Sequence, residues 1–207
     1  MEINILNIKG KYTGRKILLD KSIFCIYPNK HAIYLEIKRY NALQRQGTHK
    51  SKERGDVTGS TRKLHSQKGT GRSRKGDIRN PLFRGGGRIF GSIPRNYNQK
   101  LNKSIKLLAK KSILSQKQIN GQLKIVEDFY FNKPNTSVLI NIFNNLDVYN
   151  KKVLLILKDY NKNIYLSSRN LIGKKVITIN ELNSYDLINY FSIIFLENAI
   201  KEIKINS

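Results

Sequence analysis

Hydrophobic positions fall into two flanking regions separated by a long stretch that almost lacks them. In the first forty residues, Ile3, Ile5, Leu6 and Ile8 form a short strand-type run, residues 10–14 a glycine-bounded turn, and residues 17–19 and 23–26 two further strand candidates. Pro28 then suits the first turn of a helix on which Ala32, Leu35, Ile37, Tyr40 and Leu43 recur near helical spacing. Beyond residue 100, Asn102 and Gly121 bracket a second helix as N-cap and C′ residue. Leu101, Ile105, Leu108, Ala109, Ser112 and Ile113 lie on one side, and Lys103, Lys106, Lys110 and Lys117 share the other, either as a solvated face or as an extension of an anion contact. The pattern then alternates: strand 123–126, helix 136–146, strand 153–157, strand 176–179, helix 184–191, strand 192–196 and helix 198–204. Short unbroken apolar strands between helices imply burial on both sheet faces. The fold class expected is therefore α/β, a globular sandwich around a central, mostly parallel sheet.

Composition explains the gap between the two regions. Residues 43–100 hold fifteen basic and three acidic residues, a net +12, with ten of the chain's fourteen glycines and only ten hydrophobic residues. Such a segment cannot bury a core of its own, whereas the remaining 149 positions can. The organisation expected is a globular α/β domain from residues 1–43 and 101–207, with 44–100 as a long, basic, glycine-rich extended loop. Half of that loop, fully extended at roughly 3.3 Å per residue, reaches at most about 95 Å. A connection this long without a core is functional or disordered, and the expectation is both: disordered when free, ordered on its ligand.

Charge sharpens the ligand. The 207-residue chain carries 39 Lys and Arg against 14 Asp and Glu, a net +25, which is unusual for a free globular enzyme and calls for an anionic partner. Outside the segment there are twenty-one Lys and three Arg, but inside it six Lys and nine Arg. Guanidinium forks bind phosphate and guanine edges bidentately and stack on bases, which ammonium groups cannot do. The cations alternate with Gly, Ser and Thr through an irregular stretch rather than lining one helix, which favours folded RNA over a DNA groove. The candidate RNA contacts are Arg45, Lys50, Lys52, Arg54, Arg62, Lys63, Lys68, Arg72, Arg74, Lys75, Arg79, Arg84, Arg88, Arg95, Lys100 and Lys103, with the polar Gln46, Thr48 and Gln67. Leu82, Phe83, Ile89, Phe90 and Ile93, clustered in the second half, are able to pack on bases or riboses.

Catalytic and cofactor signatures fail one by one. Gly69 to Gly76 resembles a phosphate-binding loop, but Asp77 stands where a Walker loop needs Lys, and Arg74 takes the place of the third glycine of a dinucleotide fingerprint. A single cysteine, Cys25, excludes a disulfide framework and reads as a small core residue of an apolar strand; His31, His49 and His65 are too scattered for an evident metal or catalytic site. Glu127 and Asp128 are adjacent on an extended chain and so point apart, which disfavours a metal pair. The expectation is no cofactor, no metal and no enzyme. No apolar run has the length of a membrane span and the N-terminus carries no targeting pattern, so the location expected is cytoplasmic.

The ordered series Arg45-Gln46-Gly47-Thr48, Val57-Thr58-Gly59-Ser60, Gln67-Lys68-Gly69-Thr70-Gly71-Arg72, Pro81, Gly85-Gly86-Gly87, Phe90-Gly91, Pro94-Arg95 and Lys100-Leu101-Asn102-Lys103 closely resembles the L-four family of large-subunit ribosomal proteins, bacterial type. Similarity continues weakly through Lys111 to Ser115 and the α/β half. The resemblance implies a domain on the outer surface of the large subunit, with its loop threaded into ribosomal RNA. It also implies a loop tip near residues 63–74 that helps line the nascent-peptide exit tunnel opposite the loop of the L-twenty-two family protein. On that reading His65, Gln67, Lys68, Gly69 and Thr70 are the tunnel-lining positions. His65 departs from the family, which often has an aromatic there, commonly Trp. The partners implied are large-subunit ribosomal RNA and neighbouring ribosomal proteins, with no membrane and no small-molecule substrate. An alternative role is a free RNA-binding regulator or chaperone acting off the ribosome.

Overall fold

The computed structural model describes residues 2–203. Strands β1 (Glu2–Leu6), β2 (Tyr12–Leu18), β3 (Leu123–Val126), β4 (Val153–Leu157), β5 (Lys174–Thr178) and β6 (Ser192–Leu196) form one sheet in the order β2-β1-β3-β6-β4-β5. Among the described residues, the β1–β2 hairpin is antiparallel and the other pairings are parallel. Helices α1 (Lys21–Phe24), α2 (Lys30–Leu43), α3 (Lys103–Ile119), α4 (Thr136–Asn145), α5 (Lys162–Arg169), α6 (Ser184–Asn189) and α7 (Glu197–Lys201) supply the connections. The α/β class with a mostly parallel sheet is thus the one observed.

All five positions of β4 and of β6 are buried, which requires cover on both faces of the sheet. Helix α3 packs with α1 and α6, and α4 with α5. Phe143, Phe195, Ile156, Leu154 and Leu114 are among the fully enclosed side chains between these layers. At its C-terminal end α3 stops where Gly121 takes φ +66° and Gln122 N donates to Lys117 O at 2.9 Å, a left-handed cap that a side chain would strain.

Three sequence expectations need correction. Residues 23–26 are not a strand: Asp20 Oδ1 accepts from Ser22 N at 2.8 Å and starts the short helix α1 over Lys21–Phe24. Cys25 is consequently not a core residue of a strand but the exposed residue that ends this helix. Helix α5, for which the apolar pattern offered no element, is real. Its buried side holds Ile164 with Ser167 and Ser168, whose hydroxyls donate to Asn163 O (2.6 Å) and Tyr165 O (2.9 Å), so no hydrophobic period marks it. The terminal helix α7 covers Glu197–Lys201; residue 204, where the pattern carried it, lies outside the described residues.

Several lysines of this domain are structural. Lys117 Nζ donates to Tyr190 O (2.8 Å) and Phe191 O (3.2 Å), Lys124 Nζ to Leu146 O, and Lys174 Nζ to Tyr149 O and to Lys151 O (2.6 Å). Burial lowers the pKa of all three. Lys117 is thus withdrawn from the lysine face of α3, because its ammonium tethers the α6–β6 junction instead. On α2, the buried positions are Ala32 and Glu36 rather than an apolar stripe. Glu36 is satisfied by a forked pair of 2.7 Å bonds from Arg39.

At the C-terminal end of the sheet, Glu197 accepts from Lys201 Nζ and Arg15 Nη1, each at 2.8 Å. The bond from Lys201, then the charges of Lys201 and Arg15, hold its carboxyl below the ordinary glutamate value. A depressed folded pKa stabilises the fold above the ordinary carboxylate range, and that stability is lost as pH falls through the folded value. Urea unfolding of Glu197→Gln is therefore expected to show a deficit at pH 7 that shrinks as pH falls below the ordinary carboxylate range; a deficit that does not change with pH would deny the ion pair its role.

The chain divides into two compact units, one up to Asn41 together with everything from Lys100 onward, the other Ala42–Gln99. The second has neither helix nor strand beyond the last residues of α2. Only Asp77 and Gly87 are buried in it, so it has no hydrophobic core.

Candidate nucleic-acid interface

The basic unit is held by a few main-chain bonds that fold it back on itself. Arg95 N donates to Gly47 O (3.1 Å), Ser51 N to Ser92 O (2.9 Å), Arg88 N to Lys52 O (2.9 Å) and Leu64 N to Gly76 O (3.1 Å), so two limbs run antiparallel. A chain so rich in Gly, Ser and Arg cannot hold a regular ladder by side-chain packing, and these bonds replace one.

Side-chain polarity is inverted relative to a globular core. Asp77 is buried and pairs with two arginines: its Oδ2 accepts from Arg54 Nε at 3.2 Å, Arg54 Nη2 lies 3.0 Å from Oδ1, and Arg79 Nε stands 3.9 Å from Oδ2 as an ion pair without a hydrogen bond. Arg79 also reaches Val57 O through Nη1 at 3.4 Å. The closing turn needs glycine. A Cβ on Gly87 would lie 2.3 Å from Arg54 N, and one on Gly86 would lie 1.9 Å from Asn80 O. The backbone approach that these two residues permit is what places Arg54 over Asp77.

Most of the sequence-predicted contacts face solvent. Arg45, Gln46, Thr48, Lys50, Lys52, Arg54, Arg62, Lys63, Gln67, Lys68, Arg72, Arg74, Lys75, Arg84, Arg88, Arg95, Lys100 and Lys103 are exposed. Arg79 is the exception, its side chain only 17% exposed, which makes it an internal strut. Lys50 pairs with Asp56 at 2.9 Å, and its hydrogen bond holds that carboxyl below its ordinary value, so both are charged at neutral pH. Around the tip, His65 Nε2 is 2.8 Å from Ser73 O and Lys63 Nζ bonds Gln67 Oε1, while Gln67, Lys68, Gly69 and Thr70 are exposed between them. His65, half-buried, thus ties the two sides of the tip together.

Two features carry no signal in the pattern of cations. Tyr97 gathers Arg45, with its guanidinium carbon 3.9 Å from the ring centroid, and Arg95, at 4.7 Å, and its hydroxyl lies 3.1 Å from His49 Nε2. An aromatic next to Arg-Asn in a polybasic stretch is the only hint of that platform. Phe90 takes φ +54° and is fully exposed. For a bulky aromatic this is a true outlier, costing about 1–3 kcal/mol.

Among the described residues no group of three or more His, Cys, Asp or Glu is placed to hold a metal, and no helix is long and apolar enough to cross a membrane. The acids of the basic unit include Asp77, committed to Arg54 and Arg79, and Asp56, committed to Lys50. The arrangement presents cations suited to polyanions.

Fold and surface together define a class: an α/β domain interrupted by a glycine-rich polycationic unit that lacks a core. The particular family follows from comparison. Residues 17–205 match the model of the Ribosomal protein L4/L1 family. The chain is 52% identical to "Large ribosomal subunit protein uL4" of Flavobacterium psychrophilum over 206 residues, covering 100% of this chain and 99% of that one. It is 51% identical to the protein of the same name from Bacteroides fragilis (98% of each chain) and 50% identical to that of Porphyromonas gingivalis (97% and 96%). The chain belongs to the Ribosomal protein L4/L1 family, whose members are structural ribosomal proteins rather than enzymes.

Proposed function

We propose that this protein is a structural constituent of the large ribosomal subunit whose basic unit binds ribosomal RNA, supports subunit assembly and helps line the nascent-peptide exit tunnel. The observation that carries the RNA reading is the exposure of nearly all its arginines and lysines on a unit held together by glycine turns and a single buried carboxylate. Cations presented this way neutralise phosphates where RNA helices converge and release counterions, and the glycine-rich backbone allows close approach. Assembly follows from bridging RNA segments that would otherwise repel.

The tunnel role rests on the family. Residues His65, Gln67, Lys68, Gly69 and Thr70, at the turn pinned by the Leu64–Gly76 and His65–Ser73 bonds, are the positions that would face the tunnel lumen. The L-twenty-two family protein would stand opposite, and the location would be cytoplasmic, within the subunit.

Sucrose-gradient sedimentation in high salt tests this reading. The chain is expected to remain with the large subunit, because a unit interleaved with RNA dissociates only when the RNA unfolds. A substantial pool at the top of the gradient would favour a regulator or chaperone working off the ribosome.

A further inference from the structure

The two limbs of the basic unit do not pair one to one. Ser51 and Lys52 are neighbours, yet their main-chain partners, Ser92 and Arg88, are four residues apart, so Ile89, Phe90 and Gly91 are extruded as a bulge. The bulge is pinned at both ends: Ser92 N also donates to Ser51 Oγ at 3.1 Å, and a Cβ on Gly91 would come within 2.5 Å of Ser51 Cβ. At its apex Phe90 has its ring wholly in solvent, with a left-handed backbone that only a constrained loop imposes.

The ring borders an open groove of about 570 Å³. Its lining includes His49, Arg95 and Tyr97, and no carboxylate. Arg45 lies against Tyr97 and the exposed Arg88 opens the bulge. The groove is within the about 300–1,000 Å³ typical of small-ligand sites.

From this geometry we infer that the Phe90 bulge and the groove beside it form a site for one unpaired nucleotide. The base stacks on Phe90, and its phosphates are met by Arg88 and Arg95. Every base has a π face, so such a site is tolerant of sequence, and the extruded ring is already in place before RNA arrives. An apolar pocket of a neighbouring protein is a poorer occupant. Closing over Phe90, it would desolvate Arg88 and Arg95 without pairing them, whereas a nucleotide brings its own anion. The inference rests on the RNA reading above and adds a non-ionic contact to it.

Salt titrations separate the two. The full chain and its Phe90→Gly, Phe90→Leu and Phe90→Tyr variants are bound to protein-free large-subunit ribosomal RNA over a range of salt concentrations. Glycine keeps the left-handed backbone and removes only the ring. Phe90→Gly should lose about 5- to 150-fold in affinity with the slope of log K against log salt unchanged, Phe90→Tyr should bind as the parent does, and Phe90→Leu should resemble Phe90→Gly. Unchanged affinity in Phe90→Gly, full rescue by leucine, or a flattened slope would each overturn the nucleotide site while leaving the RNA reading intact. Failure of the parent chain itself to bind would instead remove both.

Discussion

Excising residues 48–94 and joining Gly47 to Arg95 through a short Gly-Ser linker is expected to leave a folded, cooperatively unfolding α/β protein that has lost its grip on RNA. The junction is feasible because Arg95 N already donates to Gly47 O at 3.1 Å. None of the side chains enclosed in the core comes from the excised stretch; they belong to the strands and helices on either side. Shortening a closed loop of this length also lowers its closure entropy, worth about 2 kcal/mol in favour of the fold. The far-UV circular dichroism of helix and sheet should therefore survive, with a thermal midpoint no lower than the parent's. RNA affinity should fall by roughly a hundredfold or more, since the exposed arginines and lysines of the basic unit are removed. Collapse of the whole domain would show that the basic unit is part of the folding core.

A second large effect is expected from one atom group. Gly87→Ala would place its Cβ 2.3 Å from Arg54 N, 2.6 Å from Arg54 Cα and 2.7 Å from Glu53 C, all main-chain atoms that cannot swing away. Overpacking against rigid neighbours costs about 1–3 kcal/mol and sometimes more. A unit without an apolar core has little to set against that, so the limbs should part. Arg88 would lose its bond to Lys52, and Asp77 its cover from Arg54. Limited trypsin digestion should then cut within residues 50–90 much faster than in the parent, and RNA affinity should drop tenfold or more, with the α/β domain's unfolding unchanged. Gly76→Ala is the matched control, for a Cβ there meets nothing within 4 Å. Equal protease sensitivity in both variants would refute the packing role of Gly87.

The parts of the fold legible in the sequence are those where one physical demand dominates. β4 is an unbroken apolar run because all its positions are enclosed, and β3 and β6 are apolar except for Lys124 and Ser192. Helix α3 is bracketed by Asn102 and Gly121: Gly121 supplies the left-handed cap, and Asn102 occupies the N-cap position without a side-chain hydrogen bond. Where two demands compete, pattern misleads. Residues 23–26 are apolar enough for a strand, yet Asp20 nucleates one helical turn there. Helix α5 hides because serine hydroxyls bonded to their own helix fill part of its buried side.

The candidate site was legible as chemistry but not as geometry. Its excess of Arg over Lys and its glycines mark a polyanion-binding segment without any structure. That Arg79 is a strut, that Asp77 is its anchor, that Tyr97 gathers Arg45 and Arg95, and that Phe90 stands alone at the apex of a bulge all depend on which residues the limbs bring together. Contacts between residues 23 apart, such as Arg54 and Asp77, leave no local period.

The central claim is that the basic unit binds RNA chiefly through its phosphates. The salt dependence of binding to ribosomal RNA, compared between the full chain and the chain lacking residues 48–94, tests it most directly. Each phosphate neutralised contributes about 0.7–0.9 to the slope of log K against log salt. The full chain should therefore show a steep slope, and the excised chain one shallower by several units. Equal slopes would contradict the claim and place the RNA contacts on the α/β domain instead.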